Sequence, residues 1–177
     1  MSTVESELAD FEAARSRFVD AMSGVPVEAL TYLSPGDDYT LGGLVTHVNA
    51  ILRRYGRVLD AILEDPSAEL DAQSIDADKD SDNARSIEGL TGADRDAAMR
   101  ALSELHGHVA RGLSAVGEDD WGRKTPVIFG GSGGQSYPTG AADITAWLTG
   151  HYNEHVPHVA ELLAGWRAEA AAGRTTS

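Results

Sequence analysis

The sequence predicts an all-α protein, a four-helix bundle, and three observations carry that expectation. Apolar residues recur at helical intervals over four long segments, strand-like alternation is almost absent, and Gly, Pro and acidic residues fill the connections. Amphipathic helices of this length bury their apolar stripes most simply against one another.

The first segment runs from about Val4 to Met22. Leu8, Phe11, Phe18, Val19 and Met22 keep the helical period, and Ser2 with Glu5 match the spacing of a capping box. Pro26, Pro35 and Gly36 then interrupt the chain. The second segment starts after Thr40 and runs to about Glu64. Its stripe passes through Leu44, Val48, Ile51, Leu52, Tyr55, Val58, Leu59 and Ile62, the pattern of a long amphipathic helix. A third begins at Thr91, which with Asp94 forms a second capping-box pattern, and ends near Val116 and Gly117. The fourth starts after Pro138-Thr139 and continues to about Ala172. Residues 60–82 hold nine acidic side chains and one Lys, so a solvated and mobile connection is expected there. Residues 117–140 set glycines and prolines around one short apolar run, PVIF. No internal repeat is present. A single domain over residues 1–172, with 173–177 as a tail, is the expected organisation.

Composition narrows the function classes. Fourteen Lys+Arg against 28 Asp+Glu give a net charge of −14, a field that disfavours nucleic acid and anionic membrane surfaces. The absence of cysteine excludes disulfides, thiolate metal sites and a cysteine nucleophile. No run of about 18 apolar residues occurs, and the acidic start MSTVESELADFE does not read as a signal peptide. A cytoplasmic protein with a small-molecule substrate is expected, and a homodimer formed through exposed helix faces.

Within HYNEH, His151 and His155 stand four residues apart on the last segment. On a helix that spacing places them about 40° apart around the axis, with Cβ atoms roughly 6 Å apart. The inward stripe reads Ile144, Leu148, His151, His155, Val159, Leu162, Trp166, so both rings face the bundle interior. Buried neutral imidazoles need partners for their nitrogens, and a metal ion meets that demand. The bland alternative leaves both at a bundle edge, bonded to solvent. His47 borders the inward stripe of the second segment, three residues after Leu44 and four before Ile51. Three imidazoles from two helices make a facial site with open positions, the mark of a catalytic metal. Tyr152 occupies the place of the zincin glutamate, so no zincin base accompanies the pair.

YTLGGLVTHVNAILRRYG and DITAWLTGHYNEHVPHVAELL together resemble the DinB-like, or YfiT-like, metalloenzyme superfamily. In that family a second-helix histidine is followed by a last-helix HxxxH. The resemblance covers essentially the whole chain and implies an up-down-down-up bundle. It further implies a divalent transition metal, zinc or nickel, held by His47, His151 and His155. Members include mycothiol-dependent maleylpyruvate isomerases and bacillithiol S-transferases, in which the metal activates a low-molecular-weight thiol. A thiol-dependent transferase or isomerase acting on small electrophiles is therefore the implied activity. No thiol-binding motif is present in the chain. The competing expectation is a non-catalytic metal-binding or structural dimeric bundle.

Pro157 follows the pair and removes a helix hydrogen bond to the Asn153 carbonyl, so a kink is expected that re-aims His155 or brings in His158. His151 and His158 lie about 10 Å apart along a helix axis, which favours 151 with 155. His106 and His108 diverge by about 200° and read as surface residues. Gly130-Gly131-Ser132-Gly133-Gly134 fits GxSxG, but that elbow needs a sheet and a helix directly after it. A flexible loop is expected instead, over the metal pocket, with Trp121, Phe129 and Tyr137 as its walls. Asp76, Asp78, Asp80 and Asp82 alternate as in a calcium loop, yet Ser81 and Ile87 stand where an EF-hand needs Gly and Glu. Arg53 and Arg54, about two turns beyond His47, are candidates for an anionic substrate, against solvation or pairing with acidic neighbours.

Overall fold

The structure, a computed structural model, describes residues 3–76 and 79–175. Five α-helices order most of these residues: α1 Thr3–Ser23, α2 Gly43–Glu64, α3 Lys79–Glu88, α4 Gly92–Ser114 and α5 Ala141–Thr175. Three short strands are also found among the described residues: β1 Leu70–Asp71, β2 Thr125–Ile128 and β3 Ser136–Thr139. The protein is thus mostly helical, but it carries a small sheet that an all-α reading did not contain. None of the described helices is long and apolar enough to cross a membrane.

Each long helix buries one stripe. Phe11, Ala14, Phe18 and Met22 do so on α1, and Leu102, His106, Val109 and Leu113 on α4. On α2 the stripe holds Leu44, Val48, Leu52, Val58, Leu59 and Ile62, each worth roughly 1.5–3 kcal/mol when buried. Packing is heaviest between α1 and α5 and between α2 and α4, with α5 also against α2. The Thr91 capping box forms as read: the Asp94 amide donates to Thr91 Oγ1 at 3.3 Å and the Thr91 amide to Asp94 Oδ2 at 3.4 Å. Ser2, half of the other capping box, lies outside the described residues, as does Asp78.

The described part of the acidic connection carries regular structure rather than a loose loop. Leu70 and Asp71 pair in parallel with Val127 and Ile128, and α3 follows. The end of α3 is docked on the start of α2. There the Ser86 carbonyl accepts from Thr40 Oγ1 and from the Thr40 amide, and the Gly43 amide donates to Thr40 Oγ1 at 3.0 Å. A Cβ at Gly43 would collide with the Ser86 carbonyl, so this contact requires glycine. PVIF lies in β2 and the start of the following turn. The glycine string becomes the turn of the β2–β3 hairpin, where Gly131, Gly133 and Gly134 adopt positive φ. No nucleophile elbow results, because β3 intervenes before α5.

α5 runs through Pro157 and three residues beyond Ala172. Its buried stripe keeps Ile144, Leu148, His155, Val159 and Leu162, while His151 and Trp166 are only half-buried. Tyr152, 1% exposed, fills the core between Leu148 and His155, and His151 moves to the border of the stripe.

Candidate metal centre

α2 and α5 bring the three predicted histidines together. The His47 and His151 ring centroids are 4.9 Å apart, His47 and His155 5.2 Å, and His151 and His155 4.5 Å. One ring nitrogen from each lies within 4.8 Å of the others, close enough for one ion to reach all three. His155 is buried and the other two are half-buried. Burial holds His47 down to about 3, and the neighbouring imidazoles push in the same direction. Burial likewise holds His151 and His155 down to about 4 each. All three are therefore neutral near pH 7, the state in which a ring nitrogen offers its lone pair.

The donor set fits a metal on an observation independent of that chemistry. His151 Nε2 and His155 Nε2 are both buried without any hydrogen-bond partner. Orphaned buried nitrogens cost free energy, and an ion held by the cluster would give such nitrogens a partner. Tyr39, in the loop before α2, packs on His47 with ring centroids 4.3 Å apart. His158 does not join the cluster as a fourth member. Its Nε2 donates to Asp37 Oδ2 at 2.8 Å, while its Nδ1 stands 3.4 Å from His155 Nδ1. Asp37 is favoured in its charged form: burial alone would raise its pKa, but the His158 hydrogen bond and the Tyr39 amide more than offset this. His158 thus bridges the loop before α2 to the His155 ring, an outer contact of the kind that orients a histidine ligand.

Beside His47 opens a cavity of about 260 Å³, lined by Tyr39, Ile51, Arg53, Arg54, Arg57 and Asp82 among others. None of the expected wall residues lines it. Phe129 comes nearest, under the Arg54 guanidinium at 5.5 Å and beside Trp147. Trp121 is buried elsewhere, donating from Nε1 to Glu7 Oε2 at 2.8 Å, and Tyr137 is exposed. Glu154 is exposed, and its charge is felt at His155 and at Tyr39. Arg53 pairs with Asp82 of α3 at 3.1 Å. Of the acidic alternation, Asp82 is taken up by Arg53, and the side chains of Asp76 and Asp80 lie outside those described.

His106 is a correction. It is 3% exposed, stacked on Phe11 with centroids 4.2 Å apart. Its Nε2 lies 2.8 Å from Glu12 Oε2 and its Nδ1 3.3 Å from Tyr152 Oη. The sequence carried the signal, because His106 falls on the stripe 102-106-109-113 and His108 does not. His108 is exposed and meets Asp60.

These features define a mostly helical protein with a cluster of three neutral imidazoles set between two long helices. The chain belongs to the DinB superfamily, whose family model matches residues 10–159. Its fold is similar to a crystal structure of a mutant mycothiol-dependent maleylpyruvate isomerase, with a TM-score of 0.67 at 13% identity. That match covers 88% of this chain and 60% of the isomerase, so the chain spans less than two thirds of that protein. No curated protein matches the sequence.

Proposed function

We propose that His47, His151 and His155 hold one divalent transition metal, zinc or nickel, for thiol-dependent transferase or isomerase chemistry on a small electrophile. The observation that carries the metal is the pair of buried, unpartnered Nε2 atoms on two members of a cluster of three neutral imidazoles. When bound, such an ion is a Lewis acid that lowers the pKa of a coordinated thiol. The chain has no cysteine, so the thiol is a low-molecular-weight cosubstrate. Three protein ligands leave a position open for it, and the cavity beside His47 gives a substrate access. The isomerase of similar fold is by name mycothiol-dependent, which supports the thiol reading.

Within this reading each residue has a stated task. Asp37 and His158 brace the His155 ring, and Tyr39 packs against the His47 ring. Burial keeps all three imidazoles unprotonated. The reading includes an up-down-down-up order of the four long helices in one domain over residues 1–172, a cytoplasmic setting and a homodimer.

The test is turnover. Metal-loaded protein is incubated with mycothiol, bacillithiol or glutathione and a small electrophile, and conjugation or isomerisation is followed. Activity that disappears on chelation and in His151→Ala supports the proposal. Silence with every thiol contradicts the transferase and isomerase chemistry.

A further inference from the structure

We infer that the cavity beside His47 seats an apolar, ring-sized group of the substrate, and that Ala50 sets how large that group is. Four half-buried apolar side chains line this one space: Tyr39, Ala50, Ile51 and Ile75. Its volume of about 260 Å³ gives room for on the order of nine non-hydrogen atoms. Apolar walls with a few polar groups to one side are the usual make-up of a small-molecule pocket. A charged group lying against these four side chains loses hydration that they cannot replace, so an uncharged group is the one they admit.

Each wall is held by a different part of the fold. Ala50 and Ile51 stand three and four residues after His47 on α2, so they neighbour it within one helical turn. Tyr39 reaches in from the loop before α2. Its ring packs on His47 with centroids 4.3 Å apart, and its amide donates to Asp37 Oδ1 at 3.2 Å. Ile75 comes from the short helical turn Gln73–Asp76. Its amide donates to the Ala72 carbonyl at 3.0 Å, and the Ala72 amide donates to the Ile128 carbonyl at 2.9 Å. The pairing of β1 with β2 thereby positions a cavity wall.

The order of the lining places the ligand. Along α2 it passes from His47 through Ala50 and Ile51 to Arg53, whose guanidinium is taken up by Asp82. The apolar group therefore lies alongside His47, between the histidine cluster and that ion pair. Ala50 contributes no more than a methyl group to the lining, and a longer side chain there takes space from the ligand. That the seated group belongs to an electrophile attacked by a metal-held thiol rests on the reading above; the apolar site does not.

Ligand-observed NMR titration with three uncharged probes, acetamide, benzamide and 1-naphthamide, tests this. It is run on the metal-loaded protein and on Ala50→Leu, Ile75→Ala and His151→Ala. Benzamide is expected to bind about tenfold tighter than acetamide, because its ring leaves water for the apolar walls. Ala50→Leu is expected to weaken benzamide by about tenfold or more with metal content unchanged. Ile75→Ala is expected to raise the affinity for 1-naphthamide relative to benzamide, and it keeps the test open if Ala50→Leu fails to fold. A parent that does not bind benzamide, or binds acetamide as tightly, overturns the proposal. So do benzamide affinity and probe preference untouched by both cavity variants. Benzamide binding lost in His151→Ala but retained in Ala50→Leu also overturns it, because the probe then sits on the metal. Benzamide binding that follows the cavity variants in a protein that turns over no thiol and electrophile supports the apolar site and contradicts the proposed chemistry.

Discussion

His155 and His158 hold their Nδ1 atoms 3.4 Å apart, and His158 passes the contact on to Asp37 through its Nε2 at 2.8 Å. This relay links a carboxylate in the loop before α2 to a cluster nitrogen on α5. It explains how Pro157 and His158 can neighbour the cluster without displacing His155 from it. An outer partner that fixes a ligand's tautomer and ring orientation is a recurrent feature of histidine metal sites.

Asp37→Ala removes the acceptor that holds the His158 ring, so the contact that orients His155 is no longer braced. Metal affinity is expected to fall by about 10–100-fold while helix content is unchanged. Competition with a zinc chelator measures it; an affinity equal to the parent's would show that the relay does not orient His155.

Acid should destabilise the chelated protein in a defined window. An unfolded imidazole titrates near its ordinary 6.5, whereas His47 is held at about 3 and His151 and His155 at about 4. Below 6.5 the unfolded chain takes up protons that the folded chain refuses, so unfolding gains as pH falls. The contribution of these neutral imidazoles is complete above 6.5 and is lost progressively down through pH 4 toward 3. Thermal melts across that range should show a falling Tm, with a shallower fall in His151→Asn. Identical slopes in the two proteins would contradict neutral, buried imidazoles.

His106→Ala opens a void beside Phe11 and strips Tyr152 Oη of its imidazole partner. A loss of about 2–4 kcal/mol is expected from cavity and unpaired hydroxyl together. Urea unfolding reads it directly, and a loss below about 0.5 kcal/mol would return His106 to the surface class.

What could be read from the sequence was what local periodicity encodes. The four long helices, the Thr91 cap and the convergence of His47 with His151 and His155 all follow from helical spacing. Residues that act through distant partners were not legible. Asp37 and His158 are 121 positions apart, and His106 meets Glu12 94 positions away. Strand β1 is too short to alternate, and its pairing with β2 depends on a segment more than fifty residues later. Helix α3 is polar almost throughout, so its place against α2 rests on Thr40, Ser86 and Asp82 rather than on an apolar stripe. The exchange of Tyr152 for His151 in the core is a rotation of one residue, finer than a stripe of alternating apolar positions can resolve.

The central claim is that three histidines on two helices hold one ion. Elemental analysis of the purified protein, beside folded His47→Ala, His151→Ala and His155→Ala variants, tests it most directly. About one zinc or nickel per chain is expected in the parent, and a large loss in each variant with circular dichroism unchanged. A parent without metal after zinc or nickel loading, or variants that retain the parent's full content, would contradict it.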